Sequence, residues 1–259
     1  MKIAISGKGG VGKTTIMALL AREFRKTGKE VLVIDADPSP HMAQTIGIED
    51  PSGVVPIAEM KDLLRERSGK QEGSPFYNIN PKVDDLPDRF MLKKDGLRLM
   101  VLGAIQTAES GCACAENTVL KRLLTKLLLT PSQFVLIDME AGVEHLGRGT
   151  VARADYLIIV VIPSKSGVRT AKKIQELARQ ARIPRIGFIG NLVADDEDRA
   201  FLTEALGEPP IACFPDTPLI RKTERAGRPL TEIASQFAEP ARQALEAILS
   251  PARLTDAPG

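Results

Sequence analysis

Gly7-Lys8-Gly9-Gly10-Val11-Gly12-Lys13-Thr14-Thr15 follows an apolar, β-branched run at Ile3, Ala4 and Ile5 and precedes residues 16–24, whose apolar spacing predicts a helix. Strand, glycine-rich loop and helix in that order make a phosphate-binding loop, and the full GxxxxGK[ST] spacing is present. Gly9, Gly10 and Gly12, with Val11 between them, let successive backbone N–H groups turn inward around a phosphate chain. The helix N-terminus adds its positive dipole end. Lys13 is expected to reach the β- and γ-phosphates, Thr14 to bind Mg²⁺ and Thr15 to bond the α-phosphate. A second lysine, Lys8, sits inside the loop where the phosphate-binding pattern requires no charge.

Composition narrows the setting. With 259 residues and 43% hydrophobic content the chain can bury one sizeable core, so residues 1–259 are expected to form a single α/β domain. Thirty-five basic and 33 acidic residues leave a net charge of +2, too little for a strong overall pull on nucleic acid or anionic lipid. Aromatic residues make up only 4%, which leaves little for base stacking. No apolar run approaches the roughly 20 residues of a membrane span, and no secretory leader pattern opens the chain. A soluble, cytoplasmic protein with neither a nucleic-acid nor a membrane partner is expected.

Further along, residues 30–34 (EVLVI) read as a second strand ending at Asp35-Ala36-Asp37-Pro38. A carboxylate there, at the C-terminal end of a strand beside the loop, lies where open parallel sheets bind ligands, and Asp37 is the candidate. Residues 60–67 suggest a short helix, residues 68–88 a surface excursion, and residues 96–103 a strand returning to the sheet. Residues 134–137 (FVLI) form a buried strand ending in Asp138, suited to hold Mg²⁺ through water, with Gly142 free to swing its N–H toward a γ-phosphate. Glu140 either positions water or is simply solvated. Residues 156–162 (YLIIVVI) belong in the middle of a doubly wound parallel sheet. Residues 185–190 form a strand ending at Asn191, and residues 211–214 a last one before Pro215-Asp216-Thr217. The last helix is expected over residues 234–249, and Cys213 in the core. His41 and His145, the two histidines, each follow one of these strand-end aspartates, where a histidine could sense nucleotide state or ligate a metal transiently; the structural reading, a hydrogen-bonded histidine, is preferred and both are left out of the metal site.

Cys112-Ala113-Cys114 precedes a helix expected over residues 118–129. A strain-free disulfide between i and i+2 is disfavoured. Two thiolates leave a soft metal under-coordinated, whereas zinc with thiolates takes four, so one pair per subunit is completed when two subunits meet. By itself the pair reads equally well as two small residues capping a helix.

The Lys8-containing loop resembles the deviant Walker A ATPases of the MinD, ParA and nitrogenase-iron-protein type. That resemblance implies a homodimer controlled by ATP and ADP, in which Lys8 reaches the partner's nucleotide. It also implies that Asp37 helps activate water or contacts the metal shell, that Asn191 reads the adenine edge, and that Pro215 and Asp216 begin the loop closing over the base. The family's aspartate often stands where this chain has Thr217. Three further segments, KVDDLPDRF (82–90), SGCACAEN (110–117) and DMEAGVEHLGRGT (138–150), resemble the CooC family, ATPases that assist nickel insertion into carbon monoxide dehydrogenase and related acetyl-CoA synthase enzymes. This implies one Ni²⁺ or Zn²⁺ per dimer on Cys112 and Cys114, and a nickel-containing client enzyme. The rival readings are a positioning ATPase without metal chemistry and an iron–sulfur carrier.

Overall fold

The computed structural model describes residues 1–37, 41–70, 76–103, 115–129, 134–139 and 154–250. Within them the chain runs β1 (Lys2–Gly7), α1 (Lys13–Lys26), β2 (Val31–Ala36), α2 (Met42–Ile46), α3 (Lys61–Ser68), α4 (Leu86–Phe90), β3 (Leu92–Lys94) and β4 (Leu97–Val101). It continues α5 (Ala115–Leu129), β5 (Phe134–Met139), β6 (Tyr156–Val161), α6 (Lys165–Gln180), β7 (Ile186–Val193), α7 (Asp196–Leu206), β8 (Ala212–Pro215), α8 (Pro218–Arg225) and α9 (Ala238–Leu249). The strands form one eight-stranded sheet in the order β3-β4-β2-β5-β1-β6-β7-β8. Every neighbouring pair is parallel except β3 with β4.

Alternation along the strands divides the core between the two faces of the sheet. Ile3 and Ile5 of β1 and Ile158 and Val160 of β6 pack with α1 and α9, among Phe24, Leu20, Ala244 and Ile248. Leu157, Ile159 and Val161 point to the other face, toward α5, α6 and α7, among Leu123, Leu127, Ile174 and Leu202. Each strand of this pair is covered on both sides, which is why β6 is apolar at every position.

Local chemistry sets the element ends. Gly12, at φ 88° and ψ 29°, occupies the left-handed position before α1, which a side chain would strain. Ser164 Oγ accepts the Gly167 N–H at 3.0 Å to start α6, and Asp195 Oδ1 accepts the Asp198 N–H at 2.9 Å to start α7. Two expectations change. β3 and β4 form a hairpin whose two turn residues, Asp95 (φ 49°) and Gly96 (φ 78°), both adopt positive φ, the Asp-Gly signature of a tight turn. The last helix begins at Ala238 after a 3-10 turn over Ala234–Phe237, because Pro240 has no N–H to bond back into a preceding helical turn and is tolerated only in the first turn. The KVDDLPDRF segment is anchored through its centre. Val83 and Leu86 are buried, and Arg67 grips both carboxylate oxygens of Asp85 at 2.9 and 2.7 Å, holding that carboxyl below its usual range.

Candidate nucleotide-binding site

Parallel pairing places three strand ends side by side at the C-terminal edge of the sheet. Ile5 is in register with Asp138, and Asp35 with Asp138, so the glycine loop after β1 emerges beside two acidic strand ends. The strands run longer than the sequence reading: β2 continues through Asp35 to Ala36, and β5 through Asp138 to Met139. Asp37 follows β2 directly and faces a cleft of about 410 Å³.

That cleft is lined by Gly10, Gly12, Lys13, Thr14 and Thr15 from the loop and first turn, by Asp37, and by Asn191 and Leu192 from β7. Its far wall is α8, with Ile220, Arg221 and Glu224, capped by Thr217, whose hydroxyl accepts the Leu219 N–H at 3.3 Å. Loop and β7 are tied together: Asn191 Nδ2 donates to the Val11 carbonyl at 2.8 Å. A Cβ added to Gly12 would lie 2.5 Å from that same Nδ2. Glycine is therefore required at 12 by both close approach and positive φ. Among the described residues Asn191 Oδ1 is buried without a hydrogen-bond partner. Asn191 lies inside β7, where the pairing with β8 shifts register between Gly190 and Val193 and Leu192 takes φ 55°.

Electrostatics mark the acidic strand ends. Asp138 is 1% exposed and, among the described residues, neither carboxylate oxygen meets the geometry of a hydrogen bond. Burial raises its pKa to about 7; the nearby Thr14 hydroxyl and the Lys13 charge pull it down, and Asp35 pushes it up. Asp35 is fully buried, and burial raises it to about 6 although its oxygens accept the N–H groups of Met42 (3.0 Å) and Asp37 (3.2 Å). A buried carboxylate beside the hydroxyl of Thr14 and the ammonium of the buried Lys13 is a donor set suited to a hydrated Mg²⁺. Glycine amides at a helix N-terminus suit a phosphate chain.

Not every expected residue comes to the cleft. Lys8 is exposed, and its ammonium donates to Ser166 Oγ at 3.2 Å, at the start of α6. Gly9 does not line the cleft, and Val11 packs beneath the loop at 1% exposure. Pro215 ends β8, and Asp216 donates its N–H to the Val193 carbonyl at 3.1 Å while its carboxylate faces Arg221 at 3.9 Å. The residues of this segment that do face the cleft are Thr217 and the α8 side chains, which the sequence reading missed. Asp35 was also passed over, although an Asp-x-Asp at a strand end puts both carboxyls on one face. Cys213 is buried, as expected of a core residue, and burial pushes its thiol up. His41 is exposed at the start of α2. Cys112, Cys114, Glu140, Gly142 and His145 lie outside the described residues. No described helix is long and apolar enough to cross a membrane.

The model of the CobQ/CobB/MinD/ParA nucleotide binding domain matches residues 2–222. Over 254 residues the chain is 38% identical to the carbon monoxide dehydrogenase accessory protein CooC of Rhodospirillum rubrum, covering 96% of each chain. It is 39% identical over 235 residues to an uncharacterized ATP-binding protein of Methanocaldococcus jannaschii, covering 89% of this chain and 91% of that one. Its fold matches that of the septum site-determining protein MinD of Pyrococcus horikoshii, solved with Mg-ADP, at a TM-score of 0.65 with 20% identity and 96% coverage of both. With the family model matching residues 2–222, the chain belongs to the CobQ/CobB/MinD/ParA family of P-loop nucleotide-binding proteins, and it is similar to the carbon monoxide dehydrogenase accessory protein CooC along nearly its whole length.

Proposed function

We propose that this protein is an ATP-hydrolysing maturation factor, a nucleotide-controlled homodimer that assists nickel insertion into carbon monoxide dehydrogenase or acetyl-CoA synthase. The observation carrying this reading is its end-to-end similarity to a carbon monoxide dehydrogenase accessory protein. In this reading Gly9 to Thr15 wrap the phosphates of ATP, Lys13 neutralises the β- and γ-phosphates, and Thr14, with Asp138 acting through water, would hold Mg²⁺. Bound there, Mg²⁺ would neutralise charge on the terminal phosphates. Asp37, at the mouth of the cleft, orients the attacking water, and Asn191 takes the base with the Pro215-Asp216 turn supporting the wall beyond it. Lys8, whose ammonium bonds Ser166 Oγ within its own subunit, would exchange that bond for the partner's nucleotide when two subunits close. Cys112 and Cys114 from two subunits together hold one Ni²⁺ or Zn²⁺ as cargo, and hydrolysis of ATP to ADP resets the dimer.

Titration with Ni²⁺ and Zn²⁺, followed by oligomeric state with and without ATP, tests both halves. One cysteine-dependent metal per dimer, lost in Cys112→Ser/Cys114→Ser, supports the shared thiolate site. Metal binding indifferent to that double variant refutes it and leaves an ATPase of the positioning kind. A Lys8→Ala protein that dimerises on ATP and hydrolyses it like the parent refutes the trans-lysine role.

A further inference from the structure

At the opposite edge of the sheet from the nucleotide cleft, two adjoining surface clefts of about 400 and 340 Å³ share Arg25 and Leu97 as their common ridge. They lie where the C-terminus of α1 meets the β3–β4 hairpin. The first is lined by Arg22, Lys26 and Lys94, the second by Lys29, Lys93 and Arg98. Among the described residues that makes, with Arg25, seven basic side chains against three acidic ones, Glu30 and Asp95 in the lining and Glu23 paired with Lys26. An excess of four positive charges thus gathers on one edge of a chain whose total excess is two.

Part of this charge is used internally. Arg98 pairs with Glu30 at 2.8 Å, Lys26 pairs with Glu23, and Arg22 donates to the Thr231 carbonyl at 2.7 Å. Among the described residues, Arg25, Lys93 and Lys94 have no acidic partner, and Lys29 lies over the ring of Phe134, 5.3 Å from its centroid. The hairpin turn is built to bring these groups together: at Gly96 the missing side chain lets the Arg25 guanidinium lie against the turn, so the ridge between the clefts is a cation. The basic end of α1 also suits the negative end of its helix dipole, but that would need only the Arg25 and Lys26 of its last turn.

We propose that this edge docks an acidic segment of a partner protein, whose carboxylate side chains enter the two clefts on either side of Arg25. Three features select a protein segment over other polyanions. The surface is two concavities sized for side chains rather than a continuous groove for a sugar–phosphate backbone. Among the described residues no exposed aromatic lines either cleft to stack a base, Phe134 being 3% exposed. None of the exposed large hydrophobic side chains, Val55, Phe76, Ile79, Leu192 and Leu249, lies there to enter a bilayer. Binding without an apolar anchor is fast, salt-sensitive and weak, as suits a transient encounter. The inference does not depend on the metal or client assigned above.

The test uses the full chain and its Lys93→Glu/Lys94→Glu variant. The probes are a fluorescent ten-residue polyglutamate peptide, a single-stranded oligonucleotide of matched charge, and phosphatidylcholine vesicles with 30% phosphatidylglycerol. Expected is peptide binding at low salt that falls at least tenfold in the variant and on raising salt, with the oligonucleotide and vesicles binding more weakly. Carbodiimide coupling of peptide carboxylates is expected to concentrate adducts on Lys29, Lys93 and Lys94, and basal ATP hydrolysis to be unchanged in the variant. Tighter binding of the oligonucleotide or vesicles, adducts spread evenly over all lysines, or peptide affinity equal in parent and variant would each overturn the proposal.

Discussion

The two edges of the sheet handle charge in opposite ways. At the C-terminal strand ends Asp35 and Asp138 are buried side by side by strand register, and Lys13 is sunk beside them. At the N-terminal edge the charges of α1 and the β3–β4 hairpin stand in water, and their number matters more than any one position. Desolvation makes a buried charge depend on its few neighbours, whereas screening makes exposed charges act as a group. Single substitutions should therefore be severe at the first edge and mild at the second.

The severest is Lys13→Ala, which removes the cation at the phosphate cradle. Hydrolysis of ATP is expected to fall by at least roughly 10²-fold, with the fold kept by circular dichroism. Near-parental turnover would break the contrast at its strongest point. Gly12→Ala comes next, since it forces a Cβ onto Asn191 in a left-handed backbone. A loss of about 1–3 kcal/mol in denaturant unfolding is expected, together with weakened nucleotide binding. An unaltered midpoint would mean that β7 yields freely to the loop.

A third prediction concerns pH. Asp35 and Asp138 have native pKa values of about 6 and about 7, above their ordinary 3.8. Between those limits the native state binds more protons than the unfolded chain. The stability contributed by these carboxyls is therefore complete only below the unfolded value and is lost as pH rises through 6 and 7. Without nucleotide, the melting temperature should decline from pH 5 to pH 8, and Asp138→Asn should flatten the slope and raise the midpoint at pH 8. A variant that keeps the parental slope would take Asp138 out of the account. The smallest effect belongs to the other edge: Arg98→Gln breaks a surface pair with Glu30 and should change stability by no more than about 1 kcal/mol, with nucleotide affinity intact.

What could be read from the sequence follows the same division. The phosphate loop is contiguous, so its glycines, Lys13 and the two threonines could be found from spacing alone, and the uniformly apolar β6 declared its place inside the sheet. Asp138 stands out in the sequence because it directly follows the apolar run of residues 134–137. Asp35 was harder, because it is buried in the strand and only register shows that it faces Asp138. The α8 wall of the cleft comes from residues some two hundred positions after the loop, and nothing in Ile220, Arg221 or Glu224 announces a ligand. The Asp95-Gly96 turn was a missed signal rather than a missing one, since that dipeptide between strand-like runs is a strong local mark of a hairpin. The near-neutral total charge concealed the basic edge, because a sum over the chain is blind to where its members gather.

The strand order has a consequence for how the protein is made. β1 and β2 are consecutive in the chain, yet β5 lies between them, and β1 is completed on its other side by β6. Lys2 thus waits for Val135, and Ile3 for Tyr156. During synthesis the phosphate loop leaves the ribosome well before β5 and β6, so the strand that holds it has both edges unpaired until those two strands have followed. Such non-local pairing slows folding and leaves apolar strands open to wrong partners. Nascent chains halted before β5 should neither retain nucleotide nor resist protease, whereas chains halted after β7 should do both.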